Sequence, residues 1–406
     1  MSTPVIIVGA GQAAASFISR HKSLGNSAPL LLIGAEPYPP YQRPPLSKKY
    51  LLGELARERL FIRPPQWYVD QGVATRFETR ITEIRRADKQ VITDNGEVID
   101  YDKLILCTGS HARRLPAELG GNLPGVYTLR SIADIDRMAP EFQAGRKLLV
   151  VGGGYIGLEA AAAARQLGLE VTLLEMAERI LQRVAAAETS RYFRELHAGH
   201  GVDLRESARI SRLIEDAGKV CGAELESGEI IAADLVLVGI GGSPNIELAL
   251  AAGLDCDNGI RVNQICQTSE PEIYAAGDCS NFSRGGQRIR LESVQNAADQ
   301  GDLIARVLAG EDVRYNALPW FWSDQYDCKL QIVGLNQGHD HCVIRPGASA
   351  SSLSVWYYRG ARLLAIDAIN EPKSYAFGRK IIEAGKNPAP ELAADPATDL
   401  KALALG

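Results

Sequence analysis

The chain has 406 residues, of which 46% are hydrophobic and 23% are charged, a composition that is ordinary for a globular protein of roughly two to four domains. Its 44 basic and 49 acidic side chains give a formal net charge of −5, which argues against a general nucleic-acid binder because such proteins usually carry a basic face. No apolar run approaches the ~18 residues that a membrane helix needs, so we expect no membrane association.

The seven cysteines are widely spaced and form no CxxC pair. This spacing is typical of reduced thiols in a reducing compartment. A strand-like run begins directly after the first few residues, so we expect no signal peptide and predict a cytoplasmic protein. The cysteines also lack the clustering that ligates an iron–sulfur cluster, and we predict no metal site in the chain.

One pattern occurs twice: a short apolar run, a glycine-rich loop and a helix-like segment. Residues 4–8 lead into the loop 9–14, and residues 148–151 lead into the loop 152–157. Each unit continues with a further apolar run and closes on a run that ends in glycine. The repetition predicts two Rossmann-like dinucleotide-binding domains, the second inserted into the first.

The two loops follow the GxGxxG/A pattern, in which each small residue has a mechanical purpose. The first glycine permits the turn from strand to helix, the second lets the backbone approach a pyrophosphate, and the third small residue lets helix and strand pack closely. The N–H groups at the start of the helix are then available to the phosphates. The predicted loop residues are Gly9, Gly11, Ala14, Gly152, Gly154, Tyr155, Ile156 and Gly157.

A carboxylate stands near the end of the strand that follows each loop. Glu175 can accept both ribose hydroxyls and would repel a 2′-phosphate, so it favours NADH over NADPH. Arg179 and Arg183 lie nearby in the sequence and could soften this preference, and the alternative for Glu175 is a solvated strand end. In the first unit the matching strand ends at Ala35 and Glu36, and Glu36 is the candidate for the FAD ribose.

The region after about residue 320 contains three more strand-like runs, at residues 330–333, 353–358 and 363–368. Their spacing and composition predict a third, separate part of the molecule. The tail from Asn387 is rich in Pro, Ala and Asp, and we expect it to be loosely attached.

Five segments resemble the FAD- and NADH-dependent ferredoxin reductases that serve bacterial cytochrome P450 and ring-hydroxylating dioxygenase systems. They are residues 41–48 (YQRPPLSK), 152–159 (GGGYIGLE), 274–279 (YAAGDC), 292–297 (ESVQNA) and 319–325 (PWFWSDQ). The resemblance implies an α/β fold of glutathione-reductase-like architecture. Its predicted parts are an FAD-binding domain of residues 1–110 and 242–319, an NAD-binding domain of residues 111–241, and an α+β C-terminal domain of residues 320–406.

The resemblance also implies roles for individual residues. Lys48 would lie beside the flavin N5 and pair with Glu159, so that its ammonium stabilises the negative charge of a reduced flavin. Asp278 would bind the ribityl or pyrophosphate side of FAD, Val294 the isoalloxazine, and Gly241 would approach the nicotinamide half of NAD. Further residues implied to line the FAD are Ala13, Ala35, Arg43, Ile81 and Arg130. Without the motif, Lys48 would be a surface lysine, and Asp278 also fits a helix N-cap.

Position 35 is commonly acidic in that family but is alanine here, which leaves Glu36 as the substitute. We predict an enzyme that takes hydride from NADH onto FAD and passes single electrons to a separate [2Fe-2S] ferredoxin, which feeds a cytochrome P450 or other oxygenase. Because such ferredoxins are small and acidic, a local basic face is expected, with Arg63 and Lys329 as candidates. The oligomeric state stays open.

Other classes of flavoprotein are alternatives to this interpretation. A disulfide reductase needs two proximal cysteines near the flavin, and an NADH oxidase or peroxidase needs one reactive cysteine there, but residues 43–48 contain none. A rubredoxin or nitrite-system reductase stays open. A non-catalytic flavoprotein related to apoptosis-inducing factor also stays open, although the targeting segments and basic patches of such proteins are not visible.

Overall fold

The computed structural model describes residues 3–405, which form two compact units. The first unit contains the chain up to Arg43 together with Leu55–His111 and Gly242–Ala317. The second contains Pro44–Glu54, Ala112–Gly241 and the chain from Leu318 onward. The predicted NAD-binding and C-terminal parts thus lie in one unit, and the short segment 44–54 belongs to it as well.

A five-stranded parallel sheet forms the centre of the first unit. Its strands Val5–Val8 and Leu30–Ile33 are buried at every position, which explains why each is a continuous apolar run. Ile7 and Leu32 pack on one face with helices, whereas alternate residues pack on the other face. In order across the sheet, the strands are Ile273–Ala275, Lys103–Leu106, Val5–Val8, Leu30–Ile33 and Val73–Arg76.

Smaller sheets and four helices complete this unit. One small sheet contains Ile81–Arg85, Gln90–Thr93 and Val98–Asp100, and another contains Ile260–Arg261, Ser280–Arg284 and Gln287–Ile289. The helices are Gln12–Ser23, Pro65–Asp70, Glu247–Ala251 and Val294–Leu308, with 3₁₀ turns at Arg57–Leu60 and Gly277–Cys279. Two short strands, Ser110–Ala112 and Gly242–Pro244, pair with each other.

The second unit repeats the arrangement around another five-stranded parallel sheet. Its strands, in order, are Asp203–Arg205, Glu170–Leu174, Lys147–Val151, Leu235–Val238 and Val126–Thr128. A three-stranded antiparallel sheet contains Ile210–Asp216, Lys219–Leu225 and Ile230–Ala232. The helices in this part are Ile132–Met138, Tyr155–Gln166 and Ala187–Gly199, with 3₁₀ turns at Pro44–Ser47, Ala117–Leu119 and Ala139–Glu141.

An antiparallel five-stranded sheet follows in the same unit. Its order is Trp320–Gln325, Cys328–Gly334, Arg362–Ile369, Leu353–Arg359 and His341–Pro346. Three helices follow it in the chain, Pro372–Glu383, Pro390–Ala394 and Leu400–Leu405. All three strand-like runs predicted for this region are strands of the sheet.

The expectation of a loosely attached tail is wrong. Ala393, Leu400 and Ala404 are buried in the same hydrophobic cluster as Trp356 and Ile366 of the antiparallel sheet. The guanidinium of Arg345, which is 9% exposed, donates to the backbone carbonyls of Ala393, Asp395, Pro396 and Thr398. Composition alone predicted a loose tail because each short alanine-rich turn buries little apolar area. The hydrogen bonds that hold these turns come from an arginine that is distant in the sequence.

None of the helices between residues 3 and 405 combines the length and the apolar character that crossing a bilayer requires.

Candidate active site

The first glycine loop connects the strand Val5–Val8 to the helix Gln12–Ser23. Gly9 has a φ of +106°, and a Cβ at this position would lie 2.2 Å from the carbonyl oxygen of Cys107, so only glycine fits. Gly11 is the N-cap of the helix and has no side-chain cap, and a Cβ there would meet no atom within 4 Å. Uncapped N–H groups beside open space fit a pyrophosphate.

The second loop has the same geometry. Gly152 has a φ of +110°, and a Cβ would lie 2.5 Å from the carbonyl oxygen of Gly239. Gly157 packs so closely that a Cβ would lie 2.0 Å from the carbonyl oxygen of Gly152. Gly154 is the uncapped N-cap of Tyr155–Gln166 and again faces open space. Each loop therefore fits the phosphates of its own dinucleotide.

Glu175 is held by two backbone N–H groups, one of which belongs to the second loop. Its Oε2 accepts from the N–H of Gly153 and its Oε1 from the N–H of Ala177, both at 2.8 Å. A carboxylate oxygen can accept a second hydrogen bond, so ribose hydroxyls can still bind. Arg179 donates to Ser190 Oγ at 2.5 Å, and Arg183 lies near Gly241, within 4 Å of a Cβ built on that glycine.

Glu36 and Arg43 form a closed triangle with Tyr41. Arg43 Nη2 donates to Glu36 Oε1 at 2.7 Å, the Tyr41 hydroxyl donates to Glu36 Oε2 at 2.7 Å, and Arg43 Nη1 donates to the Tyr41 oxygen at 2.7 Å. Ala35 is exposed beside it. The prediction had not included Tyr41, although it stands two residues before Arg43 in the same motif.

Asp278 lies in the 3₁₀ turn Gly277–Cys279, whose N-cap position is Ala276, so the N-cap interpretation of Asp278 is wrong. Its Oδ2 accepts from the hydroxyl of Ser110 at 2.9 Å. A Cβ on Gly277 would lie 3.5 Å from the Cβ of Ala13, so the turn adjoins the first loop. The structure thus brings Asp278 close to that loop in three dimensions.

Two other predicted residues of the first unit, Val294 and Ile81, lie at a helix start and in the hydrophobic core, respectively. Val294 is the first residue of the helix Val294–Leu308, which Ser293 caps by accepting from the N–H of Asn296 at 3.1 Å. Ile81 is 6% exposed and lies in the hydrophobic core, so only its main chain could face a ligand. Val294 is partly exposed at a helix start, the position at which N–H groups are available to a ligand.

A buried ion pair lies in the second unit. Lys48 Nζ donates to Glu159 Oε2 at 2.6 Å, and the two side chains are 18% and 6% exposed. Ser47 Oγ donates to the same oxygen at 2.6 Å, and Ser323 Oγ donates to Glu159 Oε1 at 2.7 Å. These additional donors offset the desolvation that makes buried pairs costly. The sequence predicted neither serine, although both lie inside quoted motifs.

Gly241 and Arg130 also belong to the second unit. Gly241 has a φ of +95°, and its carbonyl accepts from the N–H of Arg113 at 2.9 Å. Arg130 precedes the helix Ile132–Met138, and its N–H donates to Asp134 Oδ2 at 3.1 Å. Ile156 is 44% exposed and Tyr155 is largely buried against Phe321, with ring centroids 5.0 Å apart.

All seven cysteines are free thiols. Cys107, Cys266 and Cys279 are buried, and burial raises the pKa of each, which disfavours the thiolate that disulfide exchange requires. Within residues 3–405, no group of three His, Cys, Asp or Glu side chains is arranged to hold a metal ion.

Two dinucleotide loops and a buried lysine–carboxylate pair define the class of nucleotide-dependent oxidoreductases. Residues 3–301 match the family model described as pyridine nucleotide-disulphide oxidoreductase, and residues 320–404 match the one described as reductase C-terminal. The chain belongs to the pyridine nucleotide-disulphide oxidoreductase family. It is therefore an enzyme that uses a flavin and NAD(P)H.

Individual relatives narrow the comparison. Rhodocoxin reductase of Rhodococcus erythropolis is 40% identical over 399 residues, which cover 98% of this chain and 93% of the relative. Putidaredoxin reductase of Pseudomonas putida is 39% identical over 405 residues, which cover 98% and 96%. The crystal structure of a covalent putidaredoxin reductase–putidaredoxin complex matches at a TM-score of 0.96 and 38% identity, over 99% of this chain and 98% of that one. The predicted resemblance and fold are confirmed.

Proposed function

We propose that this protein is an NADH-dependent ferredoxin reductase that contains FAD and passes electrons to a [2Fe-2S] ferredoxin of a cytochrome P450 or other oxygenase system. The Lys48–Glu159 pair carries the proposal. It lies where a disulfide reductase of this family would need cysteines, and residues 43–48 have none. The predicted cytoplasmic location belongs to the same proposal.

Bound FAD would supply acceptance of a hydride and release of electrons one at a time. In the first unit, Gly9, Gly11 and the start of the helix Gln12–Ser23 would hold its pyrophosphate, with Asp278 beside them. The triangle of Glu36, Tyr41 and Arg43 would orient the ribose side. The remaining proposed FAD contacts are Ala13, Ala14, Ala35, Lys48, Ile81, Arg130 and Val294.

NADH would bind at the second loop. Gly152, Gly154 and Gly157 would shape the phosphate site, and Glu175 would accept the hydroxyls of the adenine ribose. Tyr155, Ile156 and Glu159 are the other proposed cofactor contacts of this loop segment, and Gly241 would approach the nicotinamide half of NAD. Lys48 would stabilise the negative charge that a flavin gains with a hydride, and Glu159 would keep the ammonium in place.

A basic groove in the first unit supports an acidic protein partner. The groove has a volume of about 860 Å³ and contains the predicted docking residue Arg63, whose guanidinium lies 5.4 Å from the centre of the Trp67 ring. Arginines outnumber acidic residues in its lining, which includes Arg20, Arg63, Arg306, Arg314, Asp299 and Asp302. Lys329, the other predicted candidate, is exposed in the second unit.

NADH-driven reduction of a panel of acceptors tests the proposal. We expect yellow protein that releases FAD, rapid NADH–ferricyanide turnover, and reduction of at least one [2Fe-2S] ferredoxin much faster than of a rubredoxin. Release of FMN would refute the cofactor assignment. Rubredoxin reduced faster than every ferredoxin would move the enzyme to the rubredoxin reductases, and slow turnover with all acceptors would favour a non-catalytic flavoprotein.

A further inference from the structure

Glu159 is the end of a line of hydrogen-bonded side chains in the second unit. Ser323 Oγ donates to Glu159 Oε1 at 2.7 Å, and Gln325 Nε2 donates to Ser323 Oγ at 3.1 Å. His197 Nε2 lies 2.8 Å from Gln325 Oε1. Ser323, Gln325 and His197 are 0%, 1% and 0% exposed. Three fully buried polar side chains thus form a chain of hydrogen bonds that ends at the ion pair.

The outer end of the line reaches the surface. The Tyr326 hydroxyl lies 3.5 Å from His197 Nδ1, and the Tyr326 ring stacks on the exposed His200 at a centroid distance of 3.6 Å. Tyr326 has a φ of +55° in the turn between the strands Trp320–Gln325 and Cys328–Gly334. A non-glycine residue in this region is strained, and such strain persists only where the surroundings over-determine it.

The direction of every donor follows from the carboxylate. An ionised carboxylate only accepts, so the Ser323 hydroxyl must point at Glu159, and the Ser323 oxygen must then accept from the Gln325 amide. The Gln325 carbonyl therefore accepts from the Nε2–H of His197. This places a hydrogen on Nε2, and the imidazole is otherwise neutral at neutral pH because burial lowers the pKa of His197 to about 4. All the hydrogens point toward Glu159.

Local geometry explains why this line is built from the motif at residues 319–325. Alternate residues of a strand share one face, so Phe321, Ser323 and Gln325 point the same way. Phe321 packs on Tyr155, and Ser323 reaches Glu159 one helical turn further along Tyr155–Gln166. The strand thereby fixes the rotation of the helix that carries the carboxylate.

We propose that Ser323, Gln325 and His197 are positioning residues for hydride transfer, whose aligned donors hold the Glu159 carboxylate so that it keeps the Lys48 ammonium in place. This rests on the proposed role of Lys48 in flavin reduction. The line touches Glu159 through the oxygen that Lys48 does not use, so it can orient the carboxylate without competing for it.

Stopped-flow reduction of the FAD-loaded enzyme by NADH tests the proposal. Ser323→Ala removes the donor to Oε1 and should slow flavin reduction about tenfold, the effect of losing one hydrogen bond to a charged group. The NADH concentration for half-maximal rate should not change. His197→Leu should slow reduction in the same way but less, and His197→Gln should restore it, because a glutamine amide places an N–H near the position of Nε2.

Thr189→Val is the matched control. Thr189 is 0% exposed in the same helix as His197, and it donates to Asp367 Oδ2 at 2.8 Å rather than into the line. The control should reduce its flavin at the native rate. If it slows reduction as much as Ser323→Ala does, loss of packing explains both and the proposal fails.

A double-mutant cycle separates this inference from the proposed function. Lys48→Met alone should slow flavin reduction, and adding Ser323→Ala should cause no further loss because both act through one ion pair. A native rate in Lys48→Met would overturn the role that the proposed function gives to Lys48 in flavin reduction, and would show that Lys48 is structural. A slow Lys48→Met with native rates in both Ser323→Ala and His197→Leu, or fully additive losses in the double mutant, would overturn the positioning role alone.

Discussion

Glu175 is the residue on which the proposed preference for NADH over NADPH depends. Each of its two oxygens accepts a hydrogen bond from a backbone N–H group, so the carboxylate is fixed beside the second glycine loop. Glu175→Arg removes the ribose acceptor and adds a partner for a 2′-phosphate. We expect kcat/KM for NADH to fall and that for NADPH to rise, so that their ratio drops at least tenfold, as steady-state kinetics with ferricyanide would show.

The matched control for that change is Arg179→Ala, because Arg179 donates to Ser190 and not to Glu175. Its NADH preference should stay close to that of the native enzyme. An enzyme that uses NADPH as well as NADH before any mutation would show that nearby arginines outweigh the carboxylate.

Lys48 is the residue on which the proposed chemistry depends most. Lys48→Met keeps an unbranched side chain that is one atom shorter and removes the charge that Glu159 holds. We expect FAD to stay bound and its reduction by NADH to slow at least tenfold, equivalent to about 1.5–3 kcal/mol for one charge-assisted contact. The flavin midpoint potential should become more negative, and a native potential with a native rate would show that Lys48 is structural.

His197 makes stability depend on pH. Burial lowers its pKa from 6.5 to about 4, so below pH 6.5 the unfolded chain binds a proton that the folded chain does not. The folded state should therefore lose stability as pH falls from 6.5 toward 4, by about 3 kcal/mol at the limit. Urea unfolding at pH 7.5 and 5 should show that His197→Gln loses about 2 kcal/mol less than the native protein over this interval.

The exposed His200 provides the comparison for that measurement. His200→Gln should keep the native dependence on pH. Equal losses in His197→Gln and the native protein would mean that groups other than His197 produce the acid sensitivity.

Local sequence patterns predicted the two loops and Glu175, because each has a signature within a few residues, and the family resemblance implied the Lys48–Glu159 pair. The sequence did not predict Ser47 and Ser323 as further partners of Glu159. Ser47 lies 112 residues away in the sequence and Ser323 lies 164 away. His197 and Gln325, 128 residues apart, are ordinary members of a helix and a strand until the fold joins them. Periodicity carries no information about such contacts.

Arg345 is the link between the antiparallel sheet and the C-terminal helices. Replacement by alanine removes the donors to four carbonyls between residues 393 and 398 and should cost about 1.5–3 kcal/mol. We expect faster hydrogen exchange in residues 388–405 and a lower Tm. Arg359→Ala is the control, because its carbonyl contacts are to Gly338 and Gln337. Unchanged exchange in the tail would show that the buried Ala393, Leu400 and Ala404 suffice.

The buried parallel strands could be predicted from the sequence, but the compact unit to which each segment belongs could not. Residues 44–54 follow directly on the first unit but belong to the second, because Ser47 and Lys48 bond to a helix that begins more than 100 residues later. The prediction of a loosely attached tail failed for a related reason, because the side chain that anchors the tail, Arg345, lies about 50 residues upstream.

The whole molecule has a net charge of −5, yet the groove beside Arg63 is basic. Charge reversal of Arg63 and Arg314 should raise KM for an acidic ferredoxin severalfold and leave NADH–ferricyanide turnover intact, since ferricyanide needs no docking surface. Ferredoxin turnover should also fall as salt rises, because screening acts over about 8–10 Å near physiological ionic strength.

Arg212→Glu, a reversal at a side chain that is 61% exposed in the second unit, should leave ferredoxin KM unchanged. If it raises KM as much as the reversal at Arg63 and Arg314, the effect is that of overall charge. If neither changes KM and salt has no effect, the partner docks elsewhere.

The order of strands along the chain sets an order of synthesis. All five strands of the second parallel sheet lie between residues 126 and 238, whereas the first sheet lacks its edge strand until residues 273–275 have been made. On a ribosome, the later sheet can therefore close first. The strands Val5–Val8 and Lys103–Leu106 can pair early. The other edge of Lys103–Leu106 stays unpaired until Ile273–Ala275 has been made, about 165 residues later. Nascent chains are most exposed to misassembly during that interval.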